Sequence, residues 1–461
     1  MENSCFRPIL DGMRSAFRSG LFSSYAWRRG QLLALRRLLV EREEELYAAV
    51  SADLGKSAEE TYLTELSFVS GEIRQALRHL RRWMRPEGRS VPLHYLFGRA
   101  SVCPEPHGVV LIIGAWNYPL QLVLAPLVSA LAAGNCAVLK PSESAPHTSA
   151  LIAGLLGTYL DGRAVRVVEG GIEETRALLE LPFDFIFYTG SRSGGSDVML
   201  AAARHIVPVV LELGGKNPCI VECDADLAAA ARRIVWAKFL NAGQTCIAPD
   251  YLLVHEKIRE PLLALMQQAV SKFYGPDPAS SPDYSRIVND RHFLRLESLM
   301  QSDEIVSGGQ RDRSDRFIAP TILRVSADSP LMQEEIFGPL LPVMTYTAID
   351  QAIACIRQRS DPLAVYLFTR SRAVIEQVLR QTRSGGFCCN DILFQSAIHT
   401  LPFGGSGVSG FGRYHGRAGF ETFSVSRSVL VKSVFPDPGL RYPPYNRKKY
   451  LFLKEIVRYL G

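Results

Sequence analysis

The feature that most constrains this chain is an alternation beginning at Gly108. The segment VVLIIGAW (109–116) is almost wholly apolar and is entered through a glycine. A strand with one wet face alternates apolar and polar residues, whereas a short unbroken apolar run reads as a strand covered on both faces. A helical stretch follows, then CAVLKPSE (136–143), a second short buried strand running into a turn. A helix near 147–160, a strand at 164–168, a short helix at 172–180 and the strand-like FDFIFYTGS (183–191) continue the pattern. Strand–helix alternation of this kind predicts an α/β fold built on a doubly wound parallel sheet. Ligands on such sheets bind beyond the carboxyl ends of the strands.

A second α/β region is expected from near Leu211 to about residue 418. Asp224 reads as the N-cap of a helix carrying Leu227, Ala231, Ile234 and Val235, which stops at Asn241-Ala242-Gly243. Residues 6–84 read as helical. Leu32, Leu35, Leu39, Leu46 and Val50 keep a helical stripe, and EREEE (41–45) reads as a solvated helix face. Pro and Gly punctuation across 85–108 suggests extended arms or a hairpin. The last forty residues, with Pro436, Pro438, Pro443 and Pro444, read as an extended tail before a terminal helix.

Composition excludes some classes. A net charge of +6 over 461 residues, with the arginines scattered, is not a nucleic-acid footprint. The nine cysteines follow no spacing, so the chain reads as reduced and cytoplasmic. Cys219 and Cys223 lack a second Cys or His pair, so no metal is expected. The apolar stretch 119–133 is too short to span a bilayer, and no signal peptide is visible.

Four segments end a strand or helix in a polar or glycine-containing turn: GAWNYP (114–119), YTGSRSGG (188–195), LELGGKNP (211–218) and NAGQTC (241–246). Cys246, just past a helix end, is a candidate nucleophile or an inert buried thiol. Glu212, inside an apolar strand, is a candidate general base or a structural carboxylate. Asn117 is a candidate oxyanion donor or a turn-forming Asn. The turn Gly190-Ser191-Arg192-Ser193-Gly194-Gly195 lies between strand and helix, where backbone N–H groups can meet a pyrophosphate, yet it is not GxGxxG.

GAWNYP, LKPSE, YTGS, LELGGK, NAGQTC, EEIFGP and LPFGGSG occur in that order across 114–407. Taken together they resemble the aldehyde dehydrogenase superfamily. RYHGRAGFETFS (413–424) and LRYPPY (440–445) are similar to its class 3 branch, which includes fatty and aromatic aldehyde dehydrogenases. The resemblance implies a Rossmann-type cofactor domain (1–84 and 106–210) and a catalytic domain (211–418). It further implies an oligomerisation arm and tail (85–105 and 419–446), followed by a terminal amphipathic helix (447–461).

By the same resemblance, Cys246 is the nucleophile, Glu212 the base that activates water, and Asn117 part of the oxyanion hole. Lys140 and Glu143 resemble residues that contact the adenosine ribose of NAD or NADP, and Glu335 and Phe337 those that hold the nicotinamide ribose. The 190–195 turn would lie along the pyrophosphate. The turn departs from the family's Gly-Ser-Thr-x-Val-Gly: Arg192 replaces Thr, and Gly194 replaces the apolar residue. Gly194 is expected to loosen the helix start, and Arg192 to shift preference toward NADP.

The implied reaction is NAD(P)-dependent oxidation of a medium- or long-chain aliphatic or an aromatic aldehyde to its acid, by a homodimer. Three rivals stand beside it. One is a CoA-acylating enzyme, against which Glu212 argues. A second is a thiol hydrolase needing a histidine base; His107 and His205 are the histidines closest in sequence to the four segments. The third is a catalytically impaired scaffold. The terminal helix pairs Leu453, Ile456, Val457 and Leu460 with Arg447, Lys448, Lys449, Lys454 and Arg458. It is expected to pack on the protein or cap a substrate tunnel rather than touch a membrane surface.

Overall fold

The computed structural model describes residues 5–91, 98–301, 303–435, 437, 439 and 442–460, with Val457 and Leu460 described by backbone alone. The middle of the expected arm, Pro436, Pro438 and residues 440–441 of LRYPPY lie outside the described residues, as do the side chains of Val457 and Leu460 in the terminal stripe. In chain order the strands are β1 (Glu87–Arg89), β2 (Gly98–Pro106), β3 (Val109–Ile113), β4 (Cys136–Lys140), β5 (Val165–Val167), β6 (Phe185–Gly190), β7 (Val209–Leu213), β8 (Pro218–Val221) and β9 (Tyr251–His255). They continue as β10 (Glu304–Ser307), β11 (Arg311–Asp312), β12 (Phe317–Ile318), β13 (Thr321–Arg324), β14 (Leu340–Tyr346), β15 (Ala364–Phe368), β16 (Gly386–Cys389), β17 (Gly410–Phe411) and β18 (Ser424–Lys432).

One sheet has the order β17-β7-β6-β3-β4-β5, parallel except for β17. Every residue of β3 and β4 is buried, as continuous apolar runs require when helices cover both faces. The second sheet runs β10-β13-β14-β9-β8-β15-β16, parallel except for β10. Strands β1, β2 and β18 form a separate antiparallel sheet, in which β18 pairs along the whole of β2. The α/β class and the extended, hairpin-like reading of the region after residue 85 therefore agree with the sequence reading.

Several details differ. The division expected at residue 210 falls inside β7, which pairs with β6; the chain crosses to the second sheet only after Leu213. Strand β17 and the helix Gly416–Thr422 also return to the first sheet's side. Continuous apolar patterning hides such a crossover, because strands buried on both faces read alike in either sheet. Asp226, not Asp224, caps the helix Leu227–Phe239, accepting the Ala229 N–H at 3.0 Å. Asp224 instead accepts the Thr369 hydroxyl and the Arg370 N–H. The charged run 41–45 marks a helix junction, not a continuous face: one helix ends at Glu41, the next starts at Glu43, and Glu43, Glu44 and Glu45 occupy its acidic first turn.

In the terminal helix Arg447–Leu460 the stripe residues Leu453 and Ile456 are half-buried. Tyr450, Leu451, Phe452 and Tyr459 stay at least half exposed. Its recorded side-chain bonds are local, with Lys449 Nζ donating to the carbonyls of Gly439, Tyr442 and Pro444. Among the described residues no helix is long and apolar enough to cross a membrane.

Candidate active site

Strands β3, β4, β6 and β7 end side by side, so their following turns converge on one edge of the sheet. A cleft of about 780 Å³ opens there, lined among others by Asn117, Gly190, Ser191, Arg192, Glu212, Cys246, Glu335 and Phe337. The two sheets supply opposite walls. Residues as distant in sequence as Ala115 and Ser360 thus share one cavity, as doubly wound folds favour.

The segment before Cys246 is an unusual piece of backbone. Asn241, Ala242 and Gly243 all have positive φ, at 53°, 50° and 74°. Such a run is costly for side chains other than glycine and persists only where its surroundings fix it. Those surroundings are visible. Asn241 N–H donates to Glu60 Oε1 at 2.9 Å, and its Nδ2 donates to the Asn117 carbonyl at 2.7 Å. Gln244 bridges to the Arg286 carbonyl and accepts from Val288 N–H. A Cβ on Gly243 would collide with the Gly338 carbonyl, so the NAGQTC turn and the EEIFGP turn touch backbone to backbone.

Asn117 is 2% exposed, and its Nδ2 donates to the Gln244 carbonyl at 3.0 Å. One of its two N–H groups is thereby spent on orientation, which leaves the other for the cleft. Beneath it Lys56, fully buried, pairs with Glu65 at 2.9 Å and lies 4.3 Å from the centre of the Tyr118 ring. Glu65 in turn accepts the Leu120 and Gln121 N–H groups, where the helix Gln121–Ala133 begins.

Glu212 sits in β7 opposite Gly410 of β17. It is 4% exposed, and neither carboxylate oxygen has a partner among the described residues. Burial pushes its pKa well above the ordinary carboxylate value, opposed by the charge of Arg413. An unpaired buried carboxylate that lines a cleft is costly as structure and suited to taking a proton. The Cys246 thiol is pushed up to about 12, first by burial and then by the charges of Glu335 and Glu212.

Glu335 accepts the Gly215 N–H at 3.1 Å, and burial lifts its pKa to about 8. Its turn is pinned by Asp250, which accepts the Ile336 N–H at 2.9 Å and pairs with buried Lys216. Phe337, at φ 49°, meets the edge of Trp116 at 5.3 Å. Arg192 donates to Ser360 Oγ at 3.3 Å across the cleft.

Lys140 and Glu143, paired at 3.6 Å, lie at the end of β4 and do not line this cleft; nor do Ser193, Gly194 and Gly195. Gly194 does not loosen the helix start. The Tyr188 hydroxyl fills the space where a Cβ would stand, so glycine here is the complement of Tyr188.

Sequence reasoning missed His292, Arg295, Arg359 and Ser360, which also line the cleft. His292 leans on Trp116 at 5.1 Å, and burial with Arg295 and Arg291 nearby lowers its pKa to about 4. No described bond joins it to Cys246. Asn289 caps the helix Asp290–Leu299 that carries His292 and Arg295, but no turn motif in the sequence marks these side chains as facing a site. Among the described residues no cluster of metal-ligating side chains occurs.

The family model described as "Aldehyde dehydrogenase family" matches residues 6–429. The chain is 45% identical to aldehyde dehydrogenase family 3 member B3 of Mus musculus, over 98% of this chain and 95% of that one. It is 47% identical to family 3 member B1 of Homo sapiens, over 96% and 95%. The solved structure "Substrate bound state of Staphylococcus Aureus AldH" superposes with a TM-score of 0.96 at 41% identity, covering 98% of this chain and 99% of that one. An NAD-dependent aldehyde dehydrogenase from Sinorhizobium meliloti gives 0.85 at 31%, covering 94% and 88%. With five of its seven ordered motifs lining one cleft and its relatives matched over nearly their whole length, the chain belongs to the aldehyde dehydrogenase family, and to the class 3 branch within it.

Proposed function

We propose that the protein oxidises aliphatic or aromatic aldehydes to carboxylic acids with NAD or NADP, through a covalent intermediate on Cys246. The observation that carries this reading is the meeting of Cys246, Asn117 and unpaired Glu212 in one cleft with Arg192, Glu335 and Phe337. The residues present fit a nicotinamide dinucleotide. Ser191 and Arg192 offer donors for a diphosphate, the Glu335 carboxylate suits ribose hydroxyls, and Phe337 with Trp116 gives an aromatic wall. When bound, the nicotinamide supplies the hydride acceptor.

The protein's own groups do the rest. Cys246 loses its proton as its sulfur adds to the aldehyde carbon, and buried Glu212 is the acceptor at hand. The new oxyanion is held by the Asn117 amide, already oriented by Gln244. After the carbon is oxidised, Cys246 carries a thioester. Once Glu212 has released the thiol's proton to solvent it takes one from water, the hydroxide adds to the thioester carbon, the carbon–sulfur bond breaks, and that proton returns to the sulfur as the acid leaves. A free carboxylate for this step favours water over CoA as the acceptor. Trp116, Leu213, Met332 and Phe337 make the lining compatible with apolar aldehydes. The β1-β2-β18 sheet leaves Val425, Leu430 and Val431 exposed, which supports pairing of two copies through the arm.

The test is Cys246→Ser. Wild type should reduce NAD or NADP with an aldehyde and release the acid without CoA. The variant should form no detectable NADH or NADPH. Substantial dinucleotide reduction by Cys246→Ser would end the assignment.

A further inference from the structure

Four cations among the described residues line the cleft: Arg192, Lys216, Arg295 and Arg359. Three are satisfied by the protein's own acceptors. Lys216 pairs with Asp250 and the Leu331 carbonyl. Arg295 holds Glu334 at 3.0 Å and the carbonyls of Glu335 and Ile336. Arg359 donates to the Cys355 carbonyl at 2.8 Å and to its sulfur at 3.0 Å, and it lies over the Tyr251 ring. Arg192 differs in having one recorded acceptor, Ser360 Oγ on the opposite wall, where each of the others has at least two. A guanidinium has five N–H donors, so most of its capacity remains for an anion.

Its position says which part of a dinucleotide it meets. Arg192 opens the helix Arg192–His205 directly after β6, and Ser191, not Arg192, caps that helix by accepting the Gly194 N–H at 3.2 Å. Its charge reaches Glu335, at the nicotinamide-ribose half of the cleft. Lys140 and Glu143, the pair resembling the adenosine-ribose contacts, stand at the end of β4, two strands from β6 in the order β6-β3-β4. At the usual strand spacing that is roughly 10 Å. The side chain leans toward Ser360, on the second sheet's side, rather than along the first sheet toward that pair.

We infer that Arg192 is an anchor for the cofactor's diphosphate, drawing on both walls of the cleft, and that it strengthens binding of NAD and NADP by the same factor. The inference rests on the cofactor reading above. It opposes the expectation that Arg192 selects NADP, because the group that distinguishes the two dinucleotides sits at the adenosine end. The diphosphate is common to both.

The experiment is equilibrium binding of NADH and of NADPH, by fluorescence, to wild type, Arg192→Thr and Arg192→Lys at low and high salt. Losing a charge-assisted contact should raise both dissociation constants by roughly tenfold in Arg192→Thr, with their ratio held within about twofold. Arg192→Lys should recover part of the loss, and the salt dependence of both affinities should shrink in Arg192→Thr. Matching thermal melts check that the exposed substitution leaves the fold intact. A rise confined to NADPH would make Arg192 a 2′-phosphate reader and overturn the inference. Unchanged constants for both would also overturn it. Wild-type protein that binds neither dinucleotide would overturn the cofactor reading itself, and the anchor with it.

Discussion

The two sides of the cleft are built in opposite ways. Under the catalytic turn lies a buried polar network: Lys56 with Glu65, Glu65 with the start of the helix Gln121–Ala133, and Asn117 with Gln244 and Asn241. The cofactor turn at Ser191, Arg192 and Ser193 is exposed, and its recorded side-chain bonds are the Ser191 cap, a Ser191–Ser193 contact and the reach of Arg192 to Ser360. The difference teaches where substitution is tolerated. A change in the network strands a buried charge or releases a left-handed turn, whereas a change in the exposed turn alters affinity and little else. Arg192 replacing the family's Thr falls on the tolerant side.

The largest effect should come from breaking the network at its centre. Lys56 and Glu65 are both fully buried, so Lys56→Met leaves Glu65 without its counter-charge. Removing one member of a buried pair typically costs about 3–5 kcal/mol. Urea unfolding of Lys56→Met should show a loss of that order, and the double variant Lys56→Met/Glu65→Gln should recover much of it. A single variant as stable as wild type would show that the network does not carry the wall.

The same contrast governs what could be read without a structure. Asn117, Glu212 and Cys246 were legible because each closes an apolar element with a turn of distinctive composition. The two walls themselves were not. Lys56, Glu60 and Glu65 lie in a region read only as helical, yet they support the turns at 117 and 241. His292, Arg295, Arg359 and Ser360 enter from one helix and a loop without special turn chemistry, and only the meeting of the sheets aims them at the cleft. The change of sheets after Leu213 was hidden because β7 and β8 are both buried and apolar.

A second effect separates chemistry from support. Asn117→Ala removes the side-chain amide but leaves the backbone carbonyl that accepts from Asn241 and Lys56. Turnover should fall by about 10²–10³, the usual consequence of losing one oxyanion donor. Aldehyde-dependent kcat, measured beside the urea midpoint, decides the matter. A large loss of stability with the residual rate unchanged per folded molecule would make Asn117 another strut of the network.

The smallest effect lies where the network meets the strained turn. Glu60 accepts the Asn241 N–H, and burial raises its pKa to about 7 despite the nearby Lys56 charge. A carboxyl raised above its unfolded value of about 4.5 binds its proton more tightly in the folded state. Its contribution to stability is therefore complete below about pH 4.5 and is lost as pH climbs through 7. Protonated Glu60 still has an oxygen to offer Asn241, so the bond survives while the cost of burying the charge disappears. Glu60→Gln keeps an acceptor at the same place and carries no proton equilibrium. Thermal melts between pH 5 and 8 should show wild type losing stability relative to Glu60→Gln as pH rises. Parallel pH profiles would mean that Glu60 stays ionised throughout, with Lys56 compensating its charge in full, and the strained turn ahead of Cys246 would then owe nothing to a proton.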